Sequence, residues 1–285
     1  MTKVSAFIKT HRQFVFYSFL VLLIIVIAIA APVIARTSPT SATLRDAFQA
    51  PSSEHWFGTD ALGRDVFARV IYGTRVSVSS AVILVAVILV VGTALGLIAG
   101  YFGGIVDAVI MRIADMMIAF PELILAMAIA GILGPSLMNA IIAITVVSWT
   151  KYARMARSLV LKIRRRTYIS AAEISGSTHL HILTSYMLPN ALPTMIITAA
   201  TDIGTMMLSL ASLSFLGMGV QPPTPEWGYM LSEGRAYILT SPWLLFFPGA
   251  AVFIVVVIFN LWGDSVRDIA DPRKKAKKRK HTRRK

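Results

Sequence analysis

From residue 14 to residue 35 the chain reads FVFYSFLVLLIIVIAIAAPVIA, without one charged side chain. A helix rises about 1.5 Å per residue, so a run of about 20 apolar residues matches the roughly 30 Å of hydrocarbon in a bilayer. No water reaches the backbone there, and only helices or closed barrels satisfy every N–H and C=O. Lys3, Lys9 and Arg12 precede the run and imitate a secretory signal, but a signal core is only about 7–15 residues long. The run reads as a retained span.

Comparable stretches follow at 76–101, 105–133, 137–152, 191–215 and 243–262. Six such stretches imply an all-α, polytopic membrane protein with six transmembrane helices. Of the 285 residues, 56% are hydrophobic and 15% charged. Mean hydropathy is +0.69, which is more apolar surface than one soluble core hides. The net charge of +14 sits in blocks and not over a face, which argues for topology and against nucleic acid. One block is Lys151, Arg154, Arg157, Lys162, Arg164, Arg165 and Arg166, and another is the terminal RKKAKKRKHTRRK. Cytoplasmic flanks are the ones rich in Lys and Arg. Alternating the spans from a cytoplasmic N-terminus places both blocks and both termini inside. Residues 36–75 then lie outside, where Asp46, Glu54, Asp60 and Asp65 offset Arg36, Arg45, Arg64, Arg69 and Arg75.

The third span carries Asp107, Arg112, Asp115 and Glu122. Ionisable residues at membrane depth are functional candidates. The favoured reading is pairing with neighbouring helices near the cytoplasmic end, and Arg112 and Asp115 are spaced to pair with each other along one face. Pro121 and Pro248 should bend their helices. Gly92, Gly96 and Gly100 recur every four positions and should open one face to close helix approach. Asp60, Arg64, Asp65 and Arg69 have helix-compatible separations and read as surface ion pairs on an amphipathic interfacial helix. Trp227 and Tyr229 suit a membrane interface.

Between the fourth and fifth spans lies AAEISGSTHLHILTSYMLPN, residues 171–190, which is too polar to cross. Ala171, Ala172 and Glu173 favour a helix that Gly176 should break. Ser177 should cap a second helix, which Pro189 should stop before the next span. The whole connection of about 38 residues is long for adjacent spans, and long ordered connections are usually functional. His179 and His181 are two apart and do not share a helix face as zinc ligands would. The sequence offers no cysteine, no G-x-x-x-x-G-K-[ST] phosphate loop and no nucleophile-and-base pair. It therefore reads as a non-catalytic chain without cofactor or metal.

The spacing of Ala171, Ala172, Gly176, Leu188 and Pro189 is similar to the cytoplasmic loop of ABC-importer permeases, with Ser170 in place of its acidic residue and Tyr186 in place of an aliphatic one. Further segments stand in matching order: GTDALGRDVFARVIYGTRVS (58–77), FPELILA (120–126), GPSLMNAIIAI (134–144), WTKYARMAR (149–157), SFLGMGVQPPTPEWGYML (214–231) and NLWGDSVRDIADPR (260–273). Together they resemble the C-type permease subunit of dipeptide, oligopeptide and nickel importers, in the binding-protein-dependent transport system inner membrane component family. That resemblance implies a type I ABC importer permease fold in a prokaryotic cell (inner) membrane. Residues 1–71 would hold the N-terminal segment, first span and an outer interfacial segment. Residues 72–265 would form a five-helix core with a coupling helix at about 166–188, and 266–285 a basic tail that touches membrane lipid.

In such a transporter Ala171, Ala172, Glu173, Gly176, Ser177, Leu188 and Pro189 would meet one of two cytoplasmic ATP-binding subunits. A second permease subunit would complete a heterodimer, and an extracellular or periplasmic substrate-binding protein would deliver cargo. The outer segment GVQPPTPEWGYM, residues 219–230, would either receive that protein or pack against the partner permease. The expected cargo is di- or oligopeptides, with nickel chelates, glutathione or another small solute as the alternative. A self-contained ion-coupled transporter is the rival from another class; it should show internal repeats, and none is visible in the sequence.

Overall fold

The computed structural model describes residues 11–270, so residues 1–10, with Lys3 and Lys9, and the basic stretch 271–285 lie outside the described residues. Apart from one antiparallel bridge between Thr59 and Asp65, the regular structure among the described residues is helical. The chain order is α1 (Arg12–Ile34), α2 (Val66–Phe102), α3 (Gly104–Ile118), α4 (Glu122–Leu133), α5 (Leu137–Arg164), α6 (Thr167–Ile174), α7 (His179–Phe215), α8 (Trp227–Gly234) and α9 (Trp243–Ala270).

Four helices, α1, α2, α7 and α9, are long and apolar enough to cross a membrane, and a fifth crossing arises if α3 and α4 are one broken span. Those two meet at an angle of 96°, at Pro121, which stands just ahead of α4. The remaining long helix, α5, has 28 residues. Its apolar part ends at Thr150, because Lys151 and Arg154 interrupt it before a full span of apolar residues is reached. Pro248 lies within α9.

The chain divides into two compact units. The first comprises residues through Val82, Pro135–Met138 and residues from Ala200 onward. Its core brings Val21 and Ile24 of α1 together with Val70 and Val78 of α2, Met207 of α7, Trp227 of α8, and Val252, Val255 and Phe259 of α9. A buried indole N–H needs a partner. Trp262 donates to Ser18 Oγ at 3.1 Å, Trp227 to the Val70 carbonyl at 2.9 Å and Trp243 to the Thr59 carbonyl at 3.1 Å. Trp227, expected at a membrane interface, is instead 1% exposed; its aromatic area fills the core and its one polar atom is satisfied there. On α1, by contrast, Phe19, Ile29 and Val33 remain exposed, which suits a helix whose solvent is lipid.

The second unit comprises Ile83–Gly134 and Asn139–Ala199. The glycine row performs as expected: a Cβ on Gly92 would sit 2.5 Å from Tyr152 Cβ, one on Gly96 2.7 Å from Ala156 Cβ, and one on Gly100 2.9 Å from Val160 Cβ. Missing side chains on α2 thus let α5 approach to backbone contact. In hydrocarbon, where lipid is as apolar as leucine, such van der Waals contact holds helices together. Leu97, Tyr101, Val160, Ile169, Ile182 and Met187 form a second cluster that seats α6 and the first turns of α7. We expect Gly96→Val to force these helices apart at a cost of about 1–3 kcal/mol. The cost should appear as a lowered thermal midpoint of the purified protein in detergent; an unchanged midpoint would contradict the seam.

Candidate functional site

Helix α6 ends in a Schellman arrangement. The Gly176 N–H donates to the Glu173 carbonyl at 3.1 Å and the Ser177 N–H to the Ala172 carbonyl at 3.0 Å, closing orphan carbonyls of the last turn. Gly176 has φ +80°, a left-handed backbone that costs a side chain about 1–2 kcal/mol. Among the described residues nothing lies within 4 Å of where its Cβ would be. Glycine is therefore required here by conformation, and the outer side of the turn is open. Ser177 does not cap the next helix, because it closes the previous one. Thr178 is the cap, its hydroxyl accepting from the His181 N–H at 3.3 Å.

Pro189 does not stop that next helix either. Residues Ile182–Met187 form a π-helical stretch, and α7 continues unbroken from His179 to Phe215. The Leu188 N–H reaches the Leu183 carbonyl, one residue farther back than in an α-helix. In an α-helix a proline ring would collide with the carbonyl four residues earlier; the wider π turn relieves that collision. Asn190 Nδ2 donates to the Tyr186 carbonyl at 2.6 Å. The expected helix-turn-helix is thus a short helix joined at Gly176 to a helix that runs on through the apolar sequence.

Around this elbow Ala172 is buried while Ala171, Glu173 and Pro189 are exposed. Ile174 is 88% and Leu180 71% exposed, with Tyr168 beside them in sequence at 43%. The inner side is held by Tyr101, whose hydroxyl lies 2.7 Å from His179 Nδ1. The Arg164 guanidinium stands 5.9 Å from the Tyr101 ring centre. An anchored bend thus presents apolar side chains and one carboxylate outward.

Three of the four charges of the third apolar stretch, Asp107, Asp115 and Glu122, meet the neighbouring helix α5 as expected, and Arg112 does not. Asp107 of α3 takes two hydrogen bonds from Arg157 of α5, and Glu122 of α4 accepts from Ser148 of α5. Asp115 does not pair with Arg112, which stays exposed; it binds Arg154 of α5 at 2.6 Å instead. An i,i+3 pair on one helix lost to a partner presented by the helix packed alongside. Asp202, the one charged residue in 191–215, is buried, and a lone acid within an apolar run is the sequence signal that marks it.

The segment preceding α2 is not the expected amphipathic helix. Gly58 and Gly63 take φ +74° and +70°, and the Thr59–Asp65 bridge curls the segment into a turn. Asp65 caps α2 by accepting from the Ala68 N–H at 2.7 Å. Asp60, Arg64 and Arg69 are buried and close an alternating ring with Glu233 of α8. Arg64 binds Asp60 at 2.7 Å and Glu233 at 2.8 Å; Arg69 binds Glu233 at 2.6 Å and also Asp60. Asp60 accepts from the Leu62 and Arg64 N–H groups as well, at 2.9 and 3.0 Å. Burial opposes the Arg64 charge, but the Glu233 hydrogen bond and the Asp60 field outweigh it and raise its pKa. The cavity these residues line is about 60 Å³, far below the roughly 300–1,000 Å³ of a ligand pocket. The ring is a clasp, not a cargo site.

Beside it Glu226 caps α8, accepting from the Gly228 and Tyr229 N–H groups at 2.9 and 2.8 Å and from Ser77 at 3.2 Å. Burial pushes its carboxyl above the ordinary range in spite of these donors. Asp60→Ala should cost about 3–5 kcal/mol, because it strands two buried guanidinium groups. Exposed Arg45→Ala should cost under about 0.5 kcal/mol. Denaturation of the two purified variants checks this, and equal midpoints would remove the clasp.

Residues 92–276 match the family described as binding-protein-dependent transport system inner membrane component. The dipeptide transport system permease protein DppC of Alkalihalophilus pseudofirmus is 46% identical over 88% of this chain and 83% of its own length. The nickel transport system permease protein NikC of Escherichia coli K12 is 43% identical over 88% and 93%. The glutathione transport system permease protein GsiD of Escherichia coli O6:K15:H31 is 40% identical over 94% and 88%. Among solved structures, the inward-facing methionine ABC transporter MetNI has a chain that superposes with TM-score 0.55 at 21% identity, over 71% of this chain and 97% of that one.

Proposed function

Because the chain belongs to the binding-protein-dependent transport system inner membrane component family and is thus an ABC-importer permease, we propose that it carries di- or oligopeptides across the cytoplasmic membrane, driven by ATP hydrolysis on partner subunits. It pairs with a second permease subunit, two cytoplasmic ATP-binding subunits and a substrate-binding protein, and performs no catalysis itself. Helix α5 is the additional span that completes six, with both termini cytoplasmic, residues 72–265 as the five-helix core and the basic tail against lipid.

The observation that carries this reading is the continuity of α7 from the elbow through Pro189. Ala171, Glu173, Gly176 and Ser177 form the face that an ATP-binding subunit grips, with Ala172 buried beneath it and exposed Ile174 and Leu180 supplying apolar contact. Leu188 and Pro189 sit at the π stretch, where a push on the elbow enters the spanning helix. A conformational change then needs only a differential grip on the elbow in the ATP-bound and ATP-free states of the partner. Asp115 and Glu122 serve assembly against α5 and not passage of cargo, while Arg112 stands exposed beside them.

The dipeptide relative is 46% identical, against 43% for the nickel relative and 40% for the glutathione relative, and this favours peptides as cargo. The nickel relative keeps a metal chelate as the second reading. Purifying the assembled transporter with its binding protein and identifying the retained ligand by mass spectrometry decides between them; peptides are expected, and a nickel chelate would replace the peptide assignment. For the coupling role, Gly176→Glu should leave basal ATP hydrolysis intact while lowering uptake by about tenfold or more, since the side chain is strained at φ +80° and obstructs the open turn. Normal uptake in that variant would remove the elbow from the mechanism.

A further inference from the structure

The last two turns of α5 and the residue that follows them carry a groove that the coupling role leaves unused. It is open, about 300 Å³ in volume, and lined by Arg157, Ser158, Leu161, Lys162 and Arg165. Ser158, Leu161 and Lys162 lie on the side of α5 away from the α2 glycines, which meet Ala153, Ala156 and Val160, while Arg157 stands at the border between the two faces and Arg165 just past the helix end. Arg157 is fixed by its two hydrogen bonds to Asp107, which also neutralises its charge. Lys162 and Arg165 remain exposed and leave the groove net positive, with a hydroxyl at Ser158 and an apolar floor at Leu161.

We infer that this groove binds the phosphate of an anionic phospholipid headgroup. Lys162 and Arg165 supply charge-assisted donors to the phosphate oxygens, Ser158 a neutral donor, and Leu161 the surface for the first carbons of an acyl chain. The depth fits: 28 residues at about 1.5 Å each make α5 about 42 Å long, which exceeds the hydrocarbon and matches a bilayer measured across its headgroup layers. The final turns of the helix then lie at phosphate level. This inference rests on α5 being a span, as proposed above.

The test uses the assembled transporter in nanodiscs of phosphatidylcholine with and without phosphatidylglycerol, and counts lipids retained on release by native mass spectrometry. Lys162→Gln with Arg165→Gln should lower phosphatidylglycerol retention by about thirtyfold, equivalent to about 1 kcal/mol for each charge. Removing two exposed charges elsewhere, Arg45→Gln with Arg75→Gln, should leave it unchanged. Equal loss in both double variants would mean diffuse attraction and would overturn the site. Inorganic phosphate that competes for the groove as strongly as the lipid would overturn the lipid assignment. The chain has no cysteine, so Lys162→Cys with a membrane-impermeant maleimide checks the span separately. Labelling only from the cytoplasmic side keeps the span, and absent lipid retention then counts against the groove alone.

Discussion

In hydrocarbon every backbone N–H and C=O must be closed by the protein itself, and this constraint governs both the regular parts of the chain and its departures from regularity. Pro189 removes a donor from α7, yet that helix runs on. The chain answers with the π stretch at Ile182–Met187 and the side-chain bond from Asn190 to Tyr186. At Pro121 the helix breaks outright, and α3 and α4 diverge by 96°. One proline is absorbed and the other is not. The absorbed one stands between the elbow and the span, where a broken helix would lose any push applied at Gly176.

Polar groups follow the same economy within each compact unit. In the first, two guanidinium groups and two carboxylates alternate around Asp60, Arg64, Arg69 and Glu233, and Asp60 also closes two backbone N–H groups. Buried charges cost several kcal/mol each to desolvate, so the ring contributes geometry more than net stability: it fixes the turn before α2 to α8. In the second unit, α5 gathers Asp107, Asp115 and Glu122, while its small residues meet the glycine row. Assembly of that unit therefore uses packing on one face of α5 and charge on another.

Much of this was legible in the sequence because periodicity and composition are local. The apolar runs became helices, the Gly92–Gly96–Gly100 spacing became the seam, and Gly176 ended α6. What was not legible depended on contacts distant in the chain. Asp60 and Arg64 are spaced for an i,i+4 helix pair, yet Gly58 and Gly63 bend the segment into a turn and Glu233, far along the chain, completes the ring. Trp227 has the amphipathic character of an interface residue, and only the Val70 carbonyl explains its burial. The continuity of α7 was hidden because the usual helix-stopping rule for proline assumes α-helical hydrogen bonding up to that residue.

The central claim is that the bend at Gly176 is gripped from the cytoplasm and moves α7 as one piece. In the intact, reconstituted transporter, a cysteine at Ile174 is placed opposite single cysteines on the surface of the ATP-binding subunits, and disulfide formation is followed with and without ATP. The account predicts efficient crosslinking whose yield changes with nucleotide. A cysteine at that position that reacts only with reagents applied from outside the cell, or never joins an ATP-binding subunit, would contradict it.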